Sequence, residues 1–152
     1  MPTVLVTGAG GFLGGHVVQE LLGRGYAVRA FVRPDRRPST RTRPALADGP
    51  VRLCVGDLRE PATVEAAATG CDAIIHAAAL AQVNPARDPA LWAVNLAGTQ
   101  TVLRAARRAN VHRLVYVGTA NLFGFGTREQ PGDETCAFTG HRYGLDLSLI
   151  HI

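Results

Sequence analysis

The 152-residue chain contains no lysine, so all sixteen of its basic residues are arginine. Cysteine is scarce too: Cys54, Cys71 and Cys136 have no CxxC spacing, which argues against a disulfide framework and against a zinc site. No apolar run reaches the ~18–20 residues that a membrane span needs. The first residues also lack the basic segment that opens a signal peptide. These absences predict a cytoplasmic protein that binds no metal and no membrane.

What the chain does contain is enough apolar material for one folded domain. Hydrophobic residues make up 47% of the sequence and charged residues 18%, a composition that argues against disorder. The net charge of +4 raises the question of nucleic-acid binding. However, the arginines are scattered apart from one cluster (Arg33, Arg36, Arg37, Arg41 and Arg43), and no basic stripe is paired with aromatic residues. We therefore expect no nucleic-acid partner.

Short apolar runs alternate with segments of helical periodicity along most of the chain. The runs predict strands at Thr3–Val6, Ala27–Val32, Val51–Val55, Ala73–His76 and Leu114–Val117, and the periodic segments predict helices at Phe12–Leu22, Pro61–Ala68 and Pro89–Ala109. Strand–helix alternation of this kind implies parallel strands with right-handed crossovers. The expected fold class is therefore α/β, with a doubly wound parallel sheet of the Rossmann type.

The alternation stops after Gly118, where a loop-rich stretch leads to the terminal letters LSLIHI. A sixth strand and the helix before it are expected at this point of such a fold. We therefore expect residues 1–142 to form an incomplete domain of this fold and residues 143–152 to be an aberrant or truncated tail. On this interpretation the chain is the N-terminal part of a longer protein.

The strongest motif is TGAGGFLG, residues 7–14, which lies between a predicted buried strand and a predicted amphipathic helix. In this setting Gly8 permits a tight turn, Gly11 lets the backbone approach a pyrophosphate, and Gly14 lets the helix pack closely. The anion would bind at the N-terminus of the helix that begins with Phe12 and Leu13, which is the positive end of the helix dipole. The alternative is a glycine-rich structural turn.

Polar or small residues follow the next three predicted strands. Asp57, in GDL with Leu58, could accept a hydrogen bond from an adenine amino group, or it could cap the following helix. The small residues Ala77, Ala78 and Ala79 would let backbone pass close to a flat ligand. His76 before them is interpreted as a packed structural residue. Thr119 would point into the crevice where doubly wound sheets bind ligands, and could donate a hydrogen bond to a substrate oxygen.

The end of the second strand bears on the choice between two cofactors. An acidic residue at this place, ~20 residues past the glycine motif, selects NAD through the ribose 2′-hydroxyl. This sequence has Arg33 there, and a guanidinium suits the 2′-phosphate of NADP, with Arg36 or Arg37 as a second contact. Two alternatives stay open: Asp35 could serve NAD instead, and the segment could be only a solvated basic loop. We predict NADP as the preferred cofactor.

Taken in order, these segments resemble the extended short-chain dehydrogenase/reductases, a family of NAD(P)-dependent epimerases, dehydratases and dihydroflavonol-reductase-like enzymes. The similar segments are TGAGGFLG, GDLRE, HAAA, VNLAGTQTVLRAA and LVYVGTANLFG. The resemblance implies that Asp57 contacts adenine, that Asn95 belongs to the cofactor site, and that Thr119 is the catalytic Ser/Thr. It also implies that residues 1–142 are an incomplete NAD(P)-binding domain, cut before a C-terminal substrate domain. It further implies a small-molecule substrate and allows a homodimer for the full-length parent.

The chain departs from that family at the proton-transfer pair, a tyrosine with a lysine four residues later. Tyr143 has a plausible spacing from Thr119, but position 147 is leucine. Either Tyr143 is the catalytic tyrosine, or the true pair lies beyond the end of this sequence. We expect an NAD(P)-dependent epimerase, dehydratase or reductase of a nucleotide sugar or a small hydroxy/carbonyl compound, inactive as this fragment. The alternative is a non-catalytic NAD(P)-binding sensor.

Overall fold

Five parallel strands form one sheet in the computed structural model, which describes residues 1–35, 51–80, 88–119 and 126–137. The strands are β1 (Thr3–Thr7), β2 (Ala27–Val32), β3 (Val51–Val55), β4 (Ala73–His76) and β5 (Arg113–Tyr116). Their order is β3-β2-β1-β4-β5, and each neighbouring pair is parallel. This is the Rossmann arrangement that the alternation predicts. β1 ends one residue later than expected, and β5 lies one residue earlier.

Helices connect the strands. They are α1 (Phe12–Gly23), α2 (Pro61–Ala68), and a long helix built from α3 (Pro89–Leu91), a π-helical segment (Trp92–Ala97) and α4 (Gly98–Arg108). The long helix matches the predicted span, but periodicity did not indicate its π-helical part. Asp88 caps its start by accepting a hydrogen bond from the Ala90 N–H at 2.8 Å.

The sheet has an apolar core on each face, because side chains of a strand alternate between the two sides. Leu5 packs on one face in a cluster with Ile74 and with residues of α2 and α4. Val4 and Val6 pack on the other face, in a cluster that includes Val18 of α1. β1 is therefore held from both sides, and its carboxyl end is a rigid base for the segment that follows.

Several expected features lie outside the described residues. These are Arg36 and Arg37, Tyr143, and the proposed boundary at residue 143. Among the helices in the described ranges, none combines the length and apolar character needed to cross a membrane.

Candidate functional site

A cavity of about 280 Å³ opens at the carboxyl ends of β1, β2 and β4. This is where doubly wound sheets place their ligands, because the chain crosses to opposite faces on either side of the first strand. The residues that line it and were singled out from the sequence are Gly8, Gly11, Arg33, Asp57, Leu58, Ala77, Ala78 and Ala79. The fold thus brings segments from four separate stretches of sequence to one site.

The glycine loop, residues Gly8–Gly14, has no room for side chains at two of its positions. Gly8 has φ +73°, and a Cβ atom there would lie 2.8 Å from the amide nitrogen of Ala78. A Cβ atom on Gly14 would overlap the carbonyl oxygen of Gly8. α1 therefore packs tightly against the residues that directly follow β1.

The N-terminus of α1 lies at the cavity. Gly11 is its N-cap, lines the cavity, and has no side chain to satisfy the amides of the first turn. Amides in this position, together with the helix dipole, bind anions such as a pyrophosphate. Phe12 and Leu13 are exposed at 76% and 48%, and neither these side chains nor Gly14 line the described cavity.

Asp57 faces the cavity as a carboxylate held by Arg59. Its Oδ1 accepts hydrogen bonds from the Arg59 backbone N–H and Nε, both at 2.9 Å, and its Oδ2 accepts one from Nη2 at 2.5 Å. The Arg59 guanidinium lowers the pKa of Asp57 to about 2, so the carboxylate stays an acceptor at neutral pH. The alternative of a helix cap is wrong, because the N-cap of α2 is Glu60.

Arg33 follows β2 directly and contributes a cation to the cavity wall. Its side chain is 40% exposed, and its Nε lies 3.6 Å from Oδ1 of Asp35, which is 71% exposed. A guanidinium has five N–H donors, and among the described residues the only ion pair of Arg33 is this long contact from Nε, so the described part of the structure leaves most of the donors to an anionic ligand. The arrangement can therefore recognise a phosphate at the rim of the cavity.

The backbone of residues 77–80, here called the β4 loop, forms another wall of the cavity. Asn95 holds its far end: Oδ1 accepts a hydrogen bond from the Leu80 N–H at 2.8 Å, and Nδ2 donates one to the Leu80 carbonyl at 3.1 Å. Asn95 is 4% exposed and does not line the described cavity. Its side chain therefore holds the backbone of the cavity wall without lining the cavity itself.

His76 lies beneath the β4 loop and is 1% exposed. Both ring nitrogens have partners: Nδ1 lies 2.6 Å from Oγ1 of Thr7, and Nε2 lies 3.0 Å from Oγ1 of Thr99. Burial lowers the pKa of His76 to about 4, so its ring is neutral at physiological pH. The interpretation of His76 as a packed, hydrogen-bonded residue is confirmed.

Of the two expected catalytic residues, the structure describes only Thr119. Thr119 is half-buried and lies three residues past the end of β5, apart from the cavity lining. Tyr143 lies outside the described residues. Their roles stay predictions.

Five further residues line the cavity that the sequence analysis did not single out: Gly10, Phe31, Val32, Leu80 and Val94. Phe31 and Val32 end β2, and their position just before Arg33 was a usable signal for them. Val94 lies in the π-helical segment, where the ordinary helical repeat does not indicate which residues face a neighbour.

Comparison with known proteins identifies relatives of this fold and site. Residues 4–145 match the model of the NAD dependent epimerase/dehydratase family. A 3 beta-hydroxysteroid dehydrogenase/Delta 5→4-isomerase of Mycobacterium tuberculosis is 37% identical over 142 residues, which is 90% of this chain and 36% of the relative. Cinnamoyl-CoA reductase 1 of Oryza sativa is 36% identical over 138 residues, 88% of this chain and 40% of that protein.

A solved structure agrees with these relatives. UDP-glucose 4-epimerase of Thermus thermophilus, in complex with NAD, is 30% identical with a TM-score of 0.77, over 97% of this chain and 48% of that one. The chain thus spans little more than a third of the length of the first curated relatives and under half of this structure. Since the family match includes all five strands and the glycine loop, the chain belongs to the NAD-dependent epimerase/dehydratase family of NAD(P)-dependent enzymes.

Proposed function

We propose that this chain binds NADP(H) and forms the cofactor-binding part of an oxidoreductase that acts on a hydroxy or carbonyl compound. The observation that carries the proposal is the cavity at the carboxyl ends of the strands, with the glycine loop on one side and Arg33 on its rim. The two curated relatives named above are a dehydrogenase and a reductase, whereas the epimerase is similar to this chain as a solved structure, at 30% identity. This difference favours hydroxy or carbonyl substrates over nucleotide sugars.

Three parts of the cofactor have a matching group among the described residues. The glycine loop would hold the pyrophosphate, because side chains are absent where it must approach. Asp57, an acceptor at neutral pH, would receive the adenine amino group beside Leu58. Arg33 would bind the 2′-phosphate. When bound, the cofactor supplies or accepts the hydride.

The reacting end of the site would use Thr119 and a tyrosine. The Thr119 hydroxyl would donate a hydrogen bond to the substrate oxygen, and Tyr143 would exchange a proton with it. Tyrosine has an ordinary pKa of ~10, so the transfer needs a nearby cation that lowers it. In the enzymes that this chain resembles that cation is a lysine, and this sequence has none.

We therefore expect these 152 residues to bind the cofactor without turning over a substrate. The test is an NAD(P)H absorbance assay on this chain beside a longer form that carries a lysine four residues after its catalytic tyrosine. Turnover is expected in the longer form only. Comparable turnover by the two proteins would contradict the role given to the lysine.

The missing lysine also favours a second candidate, an NAD(P)-binding sensor without catalysis. The same assay separates the two functions. A longer form that binds NADPH but turns over no hydroxy, carbonyl or sugar-nucleotide substrate would support the sensor.

Replacing Arg33 with alanine is expected to weaken NADPH binding and to leave NADH binding nearly unchanged, because only NADPH carries the 2′-phosphate. A hydrogen bond to a charged group is worth about 1.5–3 kcal/mol, so the expected loss of affinity is roughly 10- to 100-fold. Isothermal titration calorimetry with both cofactors measures it.

Two further variants serve as controls. Asp35→Asn removes the anion 3.6 Å from Arg33, so it should not weaken NADPH binding. Arg24→Ala removes an exposed arginine at the C-cap of α1, where it pairs with Glu20, and should leave both affinities unchanged. Equal losses for NADPH and NADH in Arg33→Ala, or a wild-type preference for NADH, would refute the assignment.

A further inference from the structure

We propose that His76 is a positioning residue of the cavity: its neutral ring, protonated on Nε2 and held between Thr7 and Thr99, fixes the β4 loop for the dinucleotide. The effect on binding rests on the proposed function above. The hydrogen bonds themselves belong to the chain without any ligand.

The donors and acceptors around His76 allow only one direction for its hydrogen bonds. The Thr99 hydroxyl lies 2.6 Å from the Asn95 carbonyl oxygen, to which it must donate its single hydrogen. Thr99 can then only accept from His76 Nε2, 3.0 Å away, so Nε2 carries the ring hydrogen. The unprotonated Nδ1 accepts from the Thr7 hydroxyl at 2.6 Å.

Thr7 extends this order to the cavity wall. Its Oγ1 accepts a hydrogen bond from the Ala78 N–H at 3.3 Å. A one-way chain of hydrogen bonds therefore runs from the β4 loop through Thr7, His76 and Thr99 to the backbone of Asn95. Since the Asn95 side chain holds Leu80, the loop is tied at both ends to one buried network. Linked bonds of this kind rigidify a site when every member is satisfied.

The surroundings of the ring keep it neutral. Within the described residues, the groups that face His76 are Thr7 from β1, Thr99 from the long helix and the ring of Tyr116 from β5, 5.7 Å away between centroids. None of the three carries a charge at neutral pH. A second hydrogen on the imidazole would point at Thr7 Oγ1, so the Thr7 hydroxyl would have to turn its own hydrogen away and would lose His76 as its acceptor.

The first test uses the chain without ligand. Nitrogen-15 NMR of the His76 ring should show a protonated Nε2 and an unprotonated Nδ1 at neutral pH. The opposite tautomer, or a doubly protonated ring, would overturn the proposal. This measurement needs no variant, so it tests the proposed protonation of His76 even where a substitution fails to fold.

The second test compares three substitutions on the long helix. Thr99→Val removes the acceptor of His76, and it should speed amide hydrogen exchange at Ala78 and Leu80 about tenfold. Thr99→Ser keeps the hydroxyl and should restore slow exchange. Thr101→Val is the matched control, because Thr101 is also buried and bonds the carbonyl four residues earlier, without touching His76. Equal exchange in Thr99→Val and Thr101→Val would refute the proposal.

The third test measures NADPH affinity in the same variants. Thr99→Val should weaken it about tenfold, within the usual range for coupled neighbouring groups, and Thr99→Ser should restore it. Faster exchange with unchanged affinity would mean that His76 does not position the site. If the wild-type chain bound no dinucleotide, the proposed function would fail. The protonation of the ring and the amide hydrogen exchange would still test the chain of hydrogen bonds.

Discussion

Replacing Gly11 with valine is expected to abolish dinucleotide binding while the chain still folds. Gly11 has φ −86° and ψ 176°, which is extended backbone that valine adopts readily. A Cβ atom there would lie 3.2 Å from the Gly8 carbonyl oxygen, so that oxygen must move by a few tenths of an ångström to accommodate it. The branched side chain would occupy the cavity where the pyrophosphate must approach. We expect a loss of at least about a hundredfold in affinity, roughly 3 kcal/mol.

Calorimetry with NADPH, and circular dichroism for folding, check this expectation. Substitutions at two other glycines of α1 provide the comparison. Gly23→Ala should change neither property, since a Cβ atom at Gly23 meets nothing within 4 Å. Gly14→Ala should lower both stability and affinity, because its Cβ atom overlaps the Gly8 carbonyl. A folded Gly11→Val protein with wild-type affinity would show that the cavity is not the dinucleotide site.

The sheet could be predicted from the sequence because its strands are short, apolar and separated by clear glycine or proline breaks. β2, β3 and β4 match their predicted bounds, and β1 and β5 differ by one residue at their ends. Such shifts are expected, since hydrogen bonding to a neighbouring strand, and not composition, decides where a strand stops. The glycine loop was predictable for a related reason: its residue types are required by backbone geometry.

The contacts behind the cavity wall could not be predicted. Arg59 lies two residues from Asp57, but only the turn before α2 brings its guanidinium onto that carboxylate. Asn95 was expected at the cofactor, whereas the fold places its side chain against Leu80. The periodicity of the sequence does not indicate the π-helical segment that carries Asn95. The contact between Asn95 and Leu80 joins segments whose relative position depends on tertiary packing, whereas the contact between Arg59 and Asp57 depends on the geometry of a local turn.

His76 should make the protein less stable as the pH falls from 6.5 towards 4. Burial lowers the pKa of His76 from its ordinary value of 6.5 to about 4 in the folded chain. Between these values the unfolded chain binds a proton at this residue that the folded chain does not. The free energy of unfolding therefore rises with pH across this window. At ~1.36 kcal/mol for one pKa unit, the loss at pH 4 amounts to about 3 kcal/mol.

Urea unfolding at a series of pH values between 4 and 7.5 measures this dependence. His76→Gln should lower stability at pH 7, because it disturbs a buried network, yet it should flatten the slope between pH 6.5 and 4. His112→Gln is the control, since that ring is exposed and its removal should leave the wild-type slope intact. The folded-state pKa of Asp57, about 2, lies below the window, so its protonation is a separate loss at lower pH. An unchanged slope in a folded His76→Gln protein would mean that another group controls acid unfolding, and that the His76 ring does not remain neutral when buried.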